Sequence, residues 1–263
     1  MTVPTLIVQG TVDGLFSLDE SVTNYRLLRA RDVPVKLLWY CGGHGVCLTA
    51  QGDIERTNRA VIQWLRRYVE GEAVATGARF DGIDQRGRAF GAADYPLPAG
   101  KSIAATGNGT LRLRAKGGSG PAEAPASTGG LGDVYAGVAP ARARNAVGVT
   151  VRAPRRALVL GAPRLTLRYR GRAGRARPQR VFAQLVDRQS GTVLGNQVTP
   201  IALDLDGSTH TVTRPLETVA HRLKQGQRLT LQLVATTVAY ARPQLGGRVR
   251  FASIRVRLPT AKE

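Results

Sequence analysis

From about residue 73 to the C-terminus the chain is cut into short pieces by turn signals, among them DGIDQRGR, TGNGT, KGGSGP, STGG and DLDGS. Between them lie short runs in which apolar and polar residues alternate: TLRLRA, RALVLG, RLTLRYRG, VFAQLVD, IALDL, LTLQLVA and VRFASIRVRL. A two-residue period puts successive side chains on opposite faces of a strand, so each run can bury one face and wet the other. Many short strands with frequent turns and little helical pattern predict an all-β sandwich or jelly roll over residues 73–263. Residues 117–148 are rich in Gly, Ala, Pro and Ser, and are expected to form a long loop.

Residues 1–72 follow another pattern. Pro4 to Gln9 (PTLIVQ) is a short apolar run of the kind found in a central parallel strand, buried on both faces. The loop GTVDGLF follows. Ser17 and Glu20 have the spacing of a capping box, and Val22, Tyr25 and Leu28 then recur at helical spacing. VPVKLLWY (33–40) is a second apolar run, so a strand–helix–strand unit with parallel strands and a right-handed crossover is predicted. After the loop CGGHGVCL, a second helix is expected with Asp53 as N-cap and Gly71 as its stop. Its apolar stripe would be Ile54, Val61, Trp64, Leu65 and Tyr68. The expected fold class is therefore βαβα followed by an all-β sandwich, divided at 72/73.

Charge separates the same two parts. The net charge is +20, yet residues 1–72 hold 8 basic and 8 acidic residues, so the whole excess lies in 73–263. An anionic partner such as nucleic acid, an acidic polysaccharide or a membrane surface is one implication. The arginines alternate with apolar residues in LRLR (111–114), RLTLRYR (164–170) and RVRF (248–251), as one exposed strand face would give. Few aromatics interleave for base stacking, so no nucleic-acid partner is expected. No apolar run reaches the roughly 18 residues of a membrane span. The first residues lack the basic and apolar regions of a signal peptide, which leaves a cytoplasmic location as the default expectation.

Cys41 and Cys47 bracket His44 as C-x2-H-x2-C. Structural zinc wants four ligands, and His210 and His221 lie far along the chain, so neither a metal nor another cofactor is expected. A disulfide across the loop is open to an exported protein; two unpaired, partly buried thiols are the plainer expectation.

The residues that carry chemistry are Asp13, in the loop after the first strand, and His44, in the loop after the second. Neighbouring parallel strands deliver both loops to one C-terminal sheet edge, where open α/β sheets place their sites. A carboxylate there can orient an imidazole and stabilise its charged form while the other ring nitrogen takes a nucleophile's proton. Gly42, Gly43 and Gly45 let the histidine loop turn tightly. Acid before histidine is also the chain order of α/β-hydrolases.

The segment PTLIVQGTVDGLFSLDESVTNYRLLRARDVPVKLLWYCGGHG resembles the end of the catalytic domain in X-Pro dipeptidyl-peptidase-like hydrolases, a group that includes cocaine-esterase-type acylases. The resemblance places the acid in a G-x-x-D turn (Gly10 to Asp13) and the base in a GGHG loop (Gly42 to Gly45). It implies a C-terminal galactose-binding-like jelly roll, whose strands PRLTLRYRG, VFAQLVD, VLGNQVTPI and RLTLQLVATTVAYA resemble. It also implies ester, amide or dipeptidyl-peptidase chemistry with a serine nucleophile at a strand–turn–helix elbow before the acid.

Twelve residues precede Asp13, none of them Ser or Cys, and no G-x-S-x-G occurs in the chain. Ser17 and Ser21 belong to a helix start and Ser119 to a Gly-rich segment. The expectation is thus the C-terminal portion of a serine hydrolase, inactive alone, with an upstream segment carrying the nucleophile as its partner. The alternative is a non-catalytic binding or structural protein acting through its jelly roll. Substrate and oligomeric state are not indicated.

Overall fold

The computed structural model describes residues 2–44, 47–123, 129–173, 179–241 and 245–262. The first strand, β1 (Thr5–Gly10), leads through helix α1 (Leu18–Arg29) to β2 (Val35–Tyr40) and helix α2 (Ile54–Tyr68). β1 and β2 pair in parallel from Thr5↔Val35 to Gly10↔Tyr40, as the strand–helix–strand reading requires. The sheet does not stop at residue 72. β3 (Phe80–Ile83) adds in parallel to β2, and β4 (Ala89–Ala92) returns antiparallel, giving the order β1-β2-β3-β4. The first three residues of the turn signal DGIDQRGR, Asp81 to Ile83, are therefore strand. The turn proper is closed by Asp84, whose carboxylate accepts the N–H groups of Arg86 and Arg88 at 2.9 and 3.0 Å.

Three local expectations for this part fail for physical reasons. β1 is an end strand, not a central one: it pairs only with β2 among the described residues, and Val8 is exposed. β2, flanked on both sides, buries Val35 through Trp39. The α2 stripe is only partly used. Trp64 is buried and Val61 half-buried, whereas Ile54, Leu65 and Tyr68 face solvent, because little besides β2 lies beneath the helix. Ser17 precedes α1 but caps no backbone N–H; its hydroxyl donates to the Glu20 carboxylate at 2.7 Å. Asp53 does cap α2, accepting the Arg56 N–H at 3.1 Å.

The rest of the chain is mostly β-structure. β5 (Ile103–Arg112) is followed by a helix, α3 (Gly129–Val138), then by β6 (Ala146–Arg152), β7 (Ala157–Gly161), β8 (Arg164–Arg172) and β9 (Gln179–Asp187). A 3-10 turn at Leu194–Asn196 precedes β10 (Thr199–Leu203), β11 (Asp206–Pro215), β12 (Val219–Leu223), β13 (Arg228–Val234), β14 (Arg248–Leu258) and β15 (Thr260–Ala261). Two four-stranded antiparallel sheets, β10-β9-β13-β6 and β11-β8-β14-β5, enclose one large apolar core that includes Leu167, Leu231 and Phe251. This is a β-sandwich.

TGNGT, expected as a turn, runs through the middle of β5. A Cβ at Gly107 or Gly109 would come within 2.7 Å of Val149 or 2.6 Å of Val147, so the glycines permit close sheet packing. The predicted long loop at 117–148 contains α3 and the start of β6. Glycine weakens a helix, and among the α3 side chains that are described Ala136 alone is buried, so composition alone hid it.

The small sheet β12-β7-β15 joins the two parts. Leu158, Leu160 and Ala220 share a core with Leu18, Tyr25, Trp39 and Phe80 of the first sheet and its helix. Trp39 and Phe80 meet edge to face with ring centroids 4.9 Å apart. Polar contacts reinforce this seam. Asp19 accepts the Thr218 N–H at 2.9 Å, and Arg86 reaches Asp187 at 2.8 Å.

Candidate active site

The two loops leaving β1 and β2 are joined at their bases. The Thr11 N–H donates to the Tyr40 carbonyl at 2.8 Å and the Val12 N–H to the Gly42 carbonyl at 3.3 Å. The approach leaves no room for a side chain at Gly10, whose Cβ would lie 1.9 Å from the Gly42 oxygen. Gly43 has φ +129°, and a Cβ there would lie 2.5 Å from that of Asp13. Glycine is thus required at both positions for the loops to touch. Gly45, the last residue of the GGHG pattern, lies outside the described residues.

This contact brings Asp13 and His44 together. Asp13 Oδ2 accepts a hydrogen bond from His44 Nδ1 at 2.9 Å. Its other oxygen, Oδ1, accepts the backbone N–H groups of Leu15 and Phe16, each at 3.0 Å. The Asp13 side chain is 4% exposed and that of His44 is 55% exposed. Burial alone would raise the Asp13 carboxyl; the Phe16, His44 and Leu15 donors outweigh it and hold the carboxyl below its ordinary value. A buried carboxylate satisfied in this way fixes the imidazole tautomer, with the proton on Nδ1. Nε2 remains unbonded among the described residues and can receive a proton. The Phe16 ring stands beside the imidazole, 5.1 Å between centroids.

Cys41 and Cys47 form a disulfide that closes the histidine loop. This corrects the expectation of two free thiols. The bond is a local staple for one loop, and both sulfurs pack with Val12 of the acid loop. Disulfides persist in oxidising compartments, at odds with a cytoplasmic default.

Sequence reasoning missed the support that the sandwich lends to the acid loop. Asn196 Nδ2 donates to the Val12 carbonyl at 3.3 Å, and Gln197 Nε2 donates to the Asp13 carbonyl at 2.5 Å. The Gly195 N–H donates to Gln85 Oε1 at 2.8 Å. Gly195 and Asn196 both take positive φ, 68° and 52°, which presents these groups as a tight turn. The dipeptide Gly-Asn inside VLGNQVTPI was the available signal, since both residues tolerate that conformation.

None of the candidate serines hydrogen-bonds to His44. Ser17 contacts Glu20; Ser21 donates to the Leu18 carbonyl and accepts from Trp39; Ser119 is buried against Gln184 and the Ala141 carbonyl. A second buried carboxylate, Asp187, lies at the seam. Burial raises it, but His221, the Gln189 N–H and Arg86 hold it well below the usual carboxylate range. His221 stands 3.6 Å away, beyond hydrogen-bond distance, whereas Arg86 and Gln227 donate to the carboxylate at 2.8 and 3.0 Å.

No protein-family model matches the sequence, and no curated protein matches it. Solved structures do match in fold. An α-amino acid ester hydrolase superimposes with a TM-score of 0.73 at 13% identity, covering 98% of this chain and 55% of that one. An aminopeptidase from a marine sediment Thaumarchaeota archaeon gives 0.67 at 13% identity, covering 100% and 56%. A CocE/NonD family hydrolase from Staphylococcus aureus gives 0.63 at 11% identity, covering 100% and 55%. The chain thus has the fold of part of a CocE-type hydrolase, consistent with its C-terminal part. It spans about 55% of the length of these relatives.

Proposed function

We propose that Asp13 and His44 are the acid and base of a serine-hydrolase triad that cleaves esters or amides. In this reading residues 1–72 end the catalytic α/β domain, and 73–263 form a jelly roll whose strands β3 and β4 reach back to the first sheet. The jelly-roll reading is supported by the connectivity: β5 to β6, β8 to β9, β10 to β11 and β13 to β14 each cross from one sheet to the other. The observation that carries the catalytic reading is the 2.9 Å bond from an exposed imidazole to a buried, multiply hydrogen-bonded carboxylate.

The chemistry follows from that geometry. His44 Nε2 accepts the proton of a serine as its oxygen attacks the carbonyl, and returns it to the leaving group. Asp13 holds Nδ1 protonated and stabilises the imidazolium formed between these steps. No described serine is bonded to His44, and in this reading another segment supplies the nucleophile. The open edge of β1 and exposed Val3, Val8, Leu15 and Phe16 support such a partner.

The test is hydrolysis of an activated ester and labelling by a fluorophosphonate. The chain alone should show neither. Together with a segment bearing a G-x-S-x-G elbow it should show both, and Asp13→Asn should lower kcat by about 10⁴. Hydrolysis by the chain alone that His44→Ala abolishes would refute the need for a partner. Activity in the assembly that survives His44→Ala would refute the role of the histidine.

A further inference from the structure

The outer face of the sheet β11-β8-β14-β5 carries positive charge that the Asp13–His44 chemistry does not use. β8 turns Leu165, Leu167 and Tyr169 into the core and Arg164, Arg168, Arg170 and Arg172 outward. β14 buries Val249, Phe251, Ile254 and Val256 and exposes Arg248, Arg250, Arg255 and Arg257. The strand register sets these side by side. Arg112, Arg248 and Arg172 form one row across three strands, Arg250 and Arg170 the next, and Arg257 and Arg164 another.

Neighbouring strands lie about 4.8 Å apart and alternate residues about 6.7 Å along a strand. Both spacings are shorter than the Debye length of about 8 Å at physiological salt. Like charges directly opposite on adjacent strands are destabilising, and threonine would serve a strand equally well. The structure offers little relief. On these four strands the one carboxylate is Asp206, at the margin, and His210 engages it at 2.9 Å. None of these arginines forms an ion pair among the described residues. At one end Arg112, Arg114, Arg170, Arg172, Arg248 and Arg250 border a shallow concavity of about 1210 Å³.

The face also says what kind of anion fits. Its outward positions hold no aromatic side chain on which bases could stack, and no large apolar side chain to enter a bilayer. Between the arginines stand Thr110, Thr166, Thr211 and Asn108, partners for hydroxyl groups. Guanidinium forks pair two-pronged with carboxylates and oxyanions. We propose that this face binds a linear acidic polysaccharide, bearing carboxylates or sulfates, laid along β8 and β14. The site is independent of Asp13 and His44.

Isothermal titration of the full chain tests this at physiological ionic strength. The ligands are polygalacturonate, dextran sulfate, neutral dextran, duplex DNA and phosphatidylserine vesicles. One or both charged glycans should bind, which also separates carboxylate from sulfate recognition, and dextran should not. The triple variant Arg170→Gln, Arg248→Gln, Arg250→Gln should weaken binding by at least about tenfold. The control Arg31→Gln, Arg67→Gln, Arg188→Gln removes the same charge elsewhere and should change it less than about twofold. Equal weakening by both triples, failure of both glycans to bind, or tighter binding of DNA or vesicles would each overturn the proposal.

Discussion

The two parts of this molecule are finished to different degrees. The sandwich encloses its core between two sheets, and apolar residues alternate inward along β6, β8 and β14. Among the described residues the first sheet ends in a parallel strand, β1, that is paired on one side only, and its helix α2 leaves Ile54, Ile62, Leu65 and Tyr68 exposed. An antiparallel sandwich can satisfy itself, because each sheet covers the other. A short parallel sheet needs helices on both faces and strands on both sides. Here it obtains only part of that cover, from the sandwich through Leu158, Leu160 and Ala220. The part that holds the Asp13–His44 pair is thus the part with the less covered apolar surface.

Core truncation should separate the two parts most strongly. Phe251 is 1% exposed in the sandwich, and Phe251→Ala should cost about 3–5 kcal/mol in denaturant unfolding. Leu65 is 48% exposed, and Leu65→Ser should stay within about 0.5 kcal/mol. A comparable loss at Leu65 would mean that α2 is covered after all.

A smaller effect is expected at the staple of the histidine loop. Replacing Cys41 and Cys47 by serine should cost roughly 2 kcal/mol, the unfolded-chain entropy of so short a loop. Hydrogen exchange should quicken around residues 40–50 and stay unchanged in β8 and β14. Faster exchange in those sandwich strands would show the two parts to be one cooperative unit.

The mildest test is acid. Asp13 and Asp187 both have folded values below their ordinary 3.8. Such groups contribute stability above the unfolded value, lost as pH falls through the folded one. Glu217 is raised by burial and acts in the opposite sense, its contribution falling as pH rises past 4.5. The urea midpoint should therefore drop as pH falls below about 4, and Asp187→Asn should flatten that drop. An unchanged slope would remove Asp187 from the balance.

Much of this architecture was readable residue by residue. β2, α1 and most sandwich strands follow their hydrophobic periods, because burial of one face leaves a local mark. The pairing of Asp13 with His44 was readable because β1, α1 and β2 place two loop ends at one sheet edge. Where two elements meet from far along the chain, a local mark such as Gly195-Asn196 can show a turn but not the partner it meets. The brace from Asn196 and Gln197 to the Val12 and Asp13 carbonyls spans 184 residues in each case.

The strand–helix–strand frame, the sandwich and the juxtaposition of Asp13 with His44 follow from local pattern, since periodicity and chain order are properties of neighbours. That β1 is an edge among the described residues, that Cys41 and Cys47 are joined, and that TGNGT is a strand rather than a turn are properties of the folded chain. Each of these depends on what stands opposite: the one neighbouring strand of β1, a second sulfur, the side chains of Val147 and Val149. Contacts of that kind are set by packing in space, which one-dimensional patterns do not encode.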